Sequence, residues 1–492
     1  MIHLCRFSIS SAINWLVVLF LFLTILSCTD DDQNPDTLFT LISSEESGIT
    51  FSNNVKESAS LNYNNFLYLI NGGGVGIGDF NNDGLEDIYF SSNLESNKLY
   101  INRGNFEFED VTVQAGVEAA EGFKSGATIV DINGDGFDDI YLCKSAWTNN
   151  KNITRNQFFI NNGDLTFTES AEIYGLDDNG YATDAVFFDY DLDQDLDLFI
   201  INTPIDFRFT NIALVLESIY KDDRTLTFGG NDKLYRNDGS KFTDVSEKAG
   251  ILRDVGFGLS VSIGDINNDG FPDIYVANDF ISPDYLYINT GKGTFLEKSV
   301  EYFKHITWSS MGSDMGDINN DGYLDLFTLD MRFTDYESIQ RNIYTVNREQ
   351  FNIRSKNGYH RQYMMNTFQL NNGIVNGKQT FSEIAQMAGM PATNWSWSVL
   401  MADFNNSGFK DLHITNGIQR NVLDRDGQKA YWNMLQQTKG KPTEMQFQQV
   451  IKKFPVDSVT NYGFINNGDL TFSDVSEEWG VNHPSTSNGV AY

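Results

Sequence analysis

Short apolar stretches alternate with polar turns along most of the chain, and they come in cycles. One segment returns six times: GDFNNDGLEDIYF from Gly78, VDINGDGFDDIYL from Val130, FDYDLDQDLDLFI from Phe188, GDINNDGFPDIYV from Gly264, GDINNDGYLDLFT from Gly316 and ADFNNSGFKDLHI from Ala402. The leading aspartates stand 52, 58, 76, 52 and 86 residues apart, so the unit is about 52 residues with insertions in some copies. Small residues before each acidic loop, as in GVGIGD and GATIVD, read as a first strand, and the apolar run after it as a second. A short aromatic stretch follows in phase: NKLYIN, NQFFIN, DKLYRN, DYLYIN, NTFQLN and NYGFIN. A Gly-containing turn such as Asn162-Gly163 or Asp238-Gly239 then marks a hairpin into a fourth strand of the type KFTDVSEKAGI, residues 241–251. Four short antiparallel strands per unit predict a propeller blade. The chain is therefore expected to be an all-β β-propeller with six complete four-stranded blades. A superhelical β-solenoid, the rival, usually has shorter repeats. Composition agrees, since 14% aromatics, 41 Gly and only 8 Pro favour sheet over helix.

The acidic loops carry the chemistry. In DFNNDGLED, residues 79–87, oxygen-bearing side chains fall at positions 1, 3, 5 and 9, Gly at position 6 permits a positive φ, and position 7 can offer its carbonyl. That pattern predicts a cage for a hard cation. Ca²⁺ suits it better than Mg²⁺, which keeps its waters and rarely takes a dedicated protein cage. The predicted ligands are Asp79, Asn81, Asp83 and Asp87; Asp131, Asn133, Asp135 and Asp139; Asp189, Asp191, Asp193 and Asp197; Asp265, Asn267, Asp269 and Asp273; Asp317, Asn319, Asp321 and Asp325; and Asp403, Asn405 and Asp411. An EF-hand would need an acid at position 12, which here is Phe90, Leu142, Ile200, Val276, Thr328 or Ile414. Two loops deviate. In the third, Gln194 replaces the Gly and Asp191 adds a fourth carboxylate; in the sixth, Ser407 replaces the position-5 Asp and Lys410 adjoins Asp411. About five to six Ca²⁺ sites are expected, with a metal-free acidic turn as the alternative.

The net charge of −33 makes the chain a poor partner for nucleic acid or an anionic surface. Eighteen of its 67 acids are predicted ligands, so the acidity requires no macromolecular partner.

The D-x-[DN]-x-D-G-x-x-D loops in units of this length resemble FG-GAP/VCBS repeats, as in the integrin α-subunit propeller. The phrases NNGDLTFTE, FTDVSEKAG and DIYVANDF resemble a bacterial lipoprotein branch whose longer members carry an ASPIC/UnbV-type C-terminal region. The resemblance covers nearly all of residues 37–492. It implies a propeller and calcium, and it implies no particular ligand.

Residues 15–26, WLVVLFLFLTIL, are too few to span a bilayer and fit a signal-peptide apolar region. The run ends in Ile25-Leu26-Ser27-Cys28, which resembles a bacterial lipoprotein cleavage box and implies lipid on Cys28. The expected organisation is a signal peptide 1–27, an acidic linker 28–36 and a propeller 37–492. Asp30-Asp31-Asp32 resembles the surface-export signal of Bacteroidetes lipoproteins, with a solvated linker as the alternative. The implied location is the bacterial outer membrane, lipid-anchored and surface-exposed. Cys5 leaves with the signal, and Cys143, in an apolar strand, is expected to be a buried thiol.

Residues 38–49 read as a fourth strand lacking its first three, and residues 488–492 as the opening of another first strand. Seven blades are expected in an intact protein, of which this chain would be a C-terminally incomplete part. The connection from second to third strand is long at about 203–230, 330–365 and 415–460, the last with two predicted amphipathic helices in 429–437 and 444–454. These insertions fall on the face opposite the acidic loops. That face is expected to bind a polysaccharide or a cell-surface protein, or else merely to cap the ring. Trp395 and Trp397 share one strand face and are expected in blade packing. His305, His360, His413 and His483 show no metal-ligand spacing, and no G-x-S-x-G, H-E-x-x-H or P-loop occurs. No enzyme is expected; the alternative is a polysaccharide lyase or hydrolase using a carboxylate pair.

Overall fold

The computed structural model describes residues 37–145, 150–204, 230–253, 256–279, 282–342, 348–356, 359–456 and 459–491. The expected signal peptide, Cys28, the acidic linker and most of the 203–230 insertion lie outside the described residues.

Six antiparallel sheets of four strands each form a β-propeller. The blades begin at Val75–Gly78, Phe123–Val130, Ala182–Phe188, Gly258–Gly264, Ser313–Gly316 and Ser396–Ala402. These first strands neighbour one another in sequence order around the axis. Small residues let them approach closely. A Cβ on Gly74 would lie 2.7 Å from Ala127 N, and one on Gly126 2.9 Å from Thr183 O. Each acidic loop is the hairpin turn from first to second strand. Position 9 is the first residue of the second strand, and the closing pairs are Gly78–Asp87, Val130–Asp139, Phe188–Asp197, Gly264–Asp273, Gly316–Asp325 and Ala402–Asp411.

The third-strand motif explains itself through its two ends. Its leading Asn or Asp accepts a backbone N–H from the end of the second strand in every blade: Asn97 from Ser92, Asn156 from Lys144, Asp232 from Asn202, Asp284 from Asn278, Asn366 from Asp330 and Asn461 from Asn416. Its closing Asn reaches across to the preceding blade. Asn161, Asn289, Asn371 and Asn466 donate from Nδ2 to Phe80 O, Tyr190 O, Ile266 O and Ile318 O at 2.8–2.9 Å. All four acceptors are position-2 carbonyls of acidic loops. Buried polar groups are thus paired across blades.

The apolar core lies between blades. Phe80, Tyr89, Leu99 and Ile101 of the first blade pack with Ile140, Leu142 and Phe159 of the second. Cys143 is buried and free, as expected. Trp395 and Trp397 are buried and stacked, 6.1 Å between ring centroids, within the largest cluster, which joins the fifth and sixth blades.

The fourth strand is shorter than the sequence suggests. In the third blade it is Phe242–Asp244, and SEKA then forms a helical turn, Ser246–Ala249, capped by Gly250 at φ +85°. Asp244 accepts from Ser246 N and Oγ, which turns the chain out of the sheet. Residues 38–42 carry no strand pairing, a correction to the expected strand; helix Ser44–Ser47 follows, capped by Gly48. The segment still takes a fourth strand's place. Phe39 N–H donates to Trp479 O, and a Cβ on Gly480 would lie 2.6 Å from Phe39 O, as one on Gly250 would lie 2.8 Å from Phe295 O. Residues 488–490 likewise form no strand, yet they run between the first strands of the sixth and first blades. Ser398 Oγ donates to Asn488 O at 2.9 Å, and Gly489 adjoins Gly73 and Val75.

The opposite face is built by insertions. Residues 415–460 hold the two expected helices, Arg425–Thr438 and Glu444–Ile451, begun by Asp424 and by a Thr443–Gln446 capping box. The fifth blade adds Tyr336–Arg341 and Arg348–Lys356. Residues 50–71 join this face to the ring. Phe66, Tyr68 and Leu69 pack with Phe123 and Phe257, and Glu57 pairs with Arg420 at 3.1 Å.

Candidate functional site

Each acidic loop folds on its own oxygens. In the first, Asp79 Oδ1 accepts from Asp83 N and its Oδ2 from Gly84 N, while Asn81 Oδ1 also accepts from Asp83 N and Asp83 Oδ1 accepts from Leu85 N. The fourth and fifth loops repeat this set around Asp265, Asn267 and Asp269 and around Asp317, Asn319 and Asp321. The second loop does so around Asp131, Asn133 and Asp135, and in the sixth Asp403 and Asn405 hold Ser407 and Gly408. The Asp and Asn oxygens at positions 1 and 3 are thereby tied to the loop's own backbone N–H groups.

Position 9 has a second duty. Asp87, Asp139, Asp197, Asp273 and Asp325 are fully buried, and each carboxylate bonds two backbone N–H groups, one from loop position 2 and one from the third-strand Asn. Asp411 is buried too and accepts from Asn466 N. Burial pushes the Asp87 carboxyl up to about 6 and those of Asp139, Asp197, Asp273 and Asp325 to about 7. The N–H bonds oppose that rise, and the neighbouring loop carboxylates add to it. A divalent cation would reverse the sign by favouring the ionised form.

The third loop stands apart. Carboxylate oxygens of Asp189, Asp191 and Asp197 lie within 4.8 Å of one another, the one such cluster of three among the described residues. Asp191 Oδ1 and Asp195 Oδ1 are buried without a hydrogen-bond partner. The cluster of Asp189, Asp191 and Asp197, with an orphaned buried oxygen on Asp191, fits a hard cation. Asp193 accepts from Asp195 N. The sequence flagged this loop for losing its Gly, and Gln194 indeed sits at φ +77°. Asp195, at position 7, was not among the expected ligands; its carboxylate was legible in the sequence but was read only for its carbonyl.

Position 4 was also missed. Asn82, Asn268, Asn320 and Asn406 adopt φ of 57–59°, with Gly134 and Leu192 in the other loops at positive φ as well. Asn82, Asn268 and Asn320 donate from Nδ2 to the position-6 carbonyl of the next loop, at Gly136, Gly322 and Gly408. The recurrence of Asn and Gly at this position was the available signal. The histidines lie elsewhere: His305 faces Glu383 at 3.6 Å, and His360 contacts the Ser299 and Phe303 carbonyls.

Six four-stranded blades, each with an acidic nine-residue hairpin between its first and second strands, define a β-propeller with a recurring acidic loop. The FG-GAP-like repeat matches residues 79–142, 221–276 and 265–328, so the chain carries such repeats over the first, second, fourth and fifth acidic loops. No curated protein matches the chain in sequence. Among solved structures, it is similar to BBS1N, crystallised in complex with ARL6DN and soaked with lead, at 8% identity and a TM-score of 0.33, covering 70% of this chain and 88% of that one. It is also similar to a putative oxidoreductase (glucose dehydrogenase) from Thermus thermophilus, at 9% identity and a TM-score of 0.34, covering 70% and 92%. Likenesses this remote carry no functional argument. Among the described residues no helix is long and apolar enough to cross a membrane.

Proposed function

We propose that this protein is a calcium-stabilised, lipid-anchored propeller of the bacterial cell surface whose insertion face binds a polysaccharide or a surface protein without chemical turnover. The FG-GAP-like repeats and the orphaned oxygens of the third loop support the calcium part, with about five to six sites and affinities on the order of 10⁻⁴–10⁻³ M. The apolar run ending at Cys28 supports the anchor.

One observation carries the binding-face reading. Large apolar side chains stand exposed on the insertions: Tyr336 at 78%, Trp432 at 57%, Met445 at 73% and Val456 at 76%. Exposed aromatic and apolar groups on a helical insertion suit the flat faces of sugar rings or a partner's apolar patch. Retention on immobilised surface polysaccharides and on a surface-protein extract is the test. Trp432→Ala and Tyr336→Ala should each weaken retention several-fold while leaving the unfolding midpoint unchanged. Equal retention by both variants would remove the insertion face from the account. Release of unsaturated or reducing sugar ends would replace binding by lyase or hydrolase activity.

A further inference from the structure

A cavity of about 210 Å³ lies on the propeller axis, at the end of the first strands away from the acidic loops. That is the space of several waters at ~30 Å³ each. Every blade contributes to its wall, and residues 488–490 complete it. Gly72 and Asn488 also line an adjoining cavity of about 310 Å³ that reaches Ser52, Gln419 and Thr486 on the insertion side, which gives a route inward.

The wall has a definite chemistry. Tyr68, Phe123 and Trp397 supply aromatic surface. Asp184 supplies a carboxylate whose one hydrogen bond given by the structure comes from the adjacent Ala185 N–H at 2.9 Å. Ser145, 1% exposed, belongs to the same wall, and its hydroxyl has no hydrogen-bond partner. The remaining Ser and Thr hydroxyls of the wall are committed: Ser125 Oγ donates to Ala182 O, Thr183 Oγ1 to Gly258 O and Ser398 Oγ to Asn488 O. No Lys, Arg or His is among the described lining residues.

An anion would meet an uncompensated carboxylate and no positive group. A neutral guest would cover that charge and leave it without a counter-charge, a costly arrangement. A cation resolves both and gains from aromatic walls. We propose that the axial cavity binds a small organic ammonium compound, its cationic nitrogen held by the Asp184 carboxylate among aromatic walls with the Ser145 hydroxyl as a further partner. Burial pushes the Asp184 carboxyl up to about 7, the response of a desolvated acid without a counter-charge. The site is independent of the insertion-face reading above.

Isothermal titration of the full chain at pH 8 with ethanolamine, choline and putrescine, and with glucose as a neutral probe, tests it. At least one amine should bind at one per chain, and glucose should not. Asp184→Asn, isosteric but uncharged, should weaken amine binding at least tenfold with an unchanged circular-dichroism spectrum. Ser145→Ala should weaken it a few-fold, which keeps the proposal testable should the first variant fold poorly. Absence of amine binding, equal binding by both variants, or binding of glucose in place of the amines would overturn it.

Discussion

Asp325 closes the fifth acidic loop, and replacing it by Ala separates two roles that the loop motif superimposes. Its Oδ1 accepts from Asn371 N at 2.7 Å and its Oδ2 from Ile318 N at 3.1 Å, in a side chain with no solvent exposure. Truncation leaves two buried N–H groups without partners, at about 1–3 kcal/mol each, so about 2–6 kcal/mol is at stake. Part is offset because the lost carboxyl was itself desolvated, its pKa pushed up to about 7. Asp321, at position 5 of the same loop, bonds Tyr323 N and Asn319 Nδ2 at the exposed surface, where water can take over. Its removal without metal should cost within ~0.5 kcal/mol, as at ordinary surface sites. Urea unfolding in excess chelator is the assay: Asp325→Ala should lower the midpoint strongly and Asp321→Ala hardly at all. In saturating calcium both should lose the additional stabilisation that the fifth site provides. Equal costs in chelator would refute the claim that position 9 ties the loop to the third strand.

Two further outcomes follow from the packing. Gly480 sits at φ +73° with the Phe39 carbonyl where its Cβ would go, whereas Gly239, at φ +88°, has open space. Both Ala variants carry the cost of a positive φ, but only Gly480→Ala should loosen residues 37–48, measured as faster proteolysis there; equal cleavage would count against the docking of that segment. Asp330 and Asp284, buried between the fourth and fifth blades, have carboxyls pushed up by burial to about 7 and about 6. Acids with raised folded-state pKa values bind protons on folding. Their contribution is full below about pH 4 and is lost as pH rises toward 7, so in saturating calcium the urea midpoint should fall between pH 5 and pH 8. Asp330→Asn should flatten that slope.

The period, the strand order within a blade and the loop positions were legible because each copy obeys the same local rules. Glycines mark where first strands crowd the axis, and Asp at position 9 marks the hairpin's closing pair. What escaped reading were contacts between copies. The closing Asn of the third strand looks like a turn residue until its amide is seen to reach the preceding blade's loop, as Asn466 does to Ile318 O. Residues 50–71 have no periodic pattern, so nothing announced that Tyr68 would sit over the axis. The extra carboxylate of Asp195 hid behind the motif, which assigns position 7 a backbone role. The fourth strand was overread because Asp244 diverts the chain by bonding Ser246, a local hydrogen bond competing with the ladder.

Calcium titration of the chelated protein, followed by calorimetry and thermal unfolding together, tests the central claim most directly. At calcium tenfold above the dissociation constant each occupied site should add about 1.4 kcal/mol to stability. The account predicts several sites per chain, a clear rise in the unfolding temperature, and loss of one site on substituting Asp189 and Asp191 together by Asn. Absence of binding heat, with the same unfolding temperature in calcium and in chelator, would contradict it.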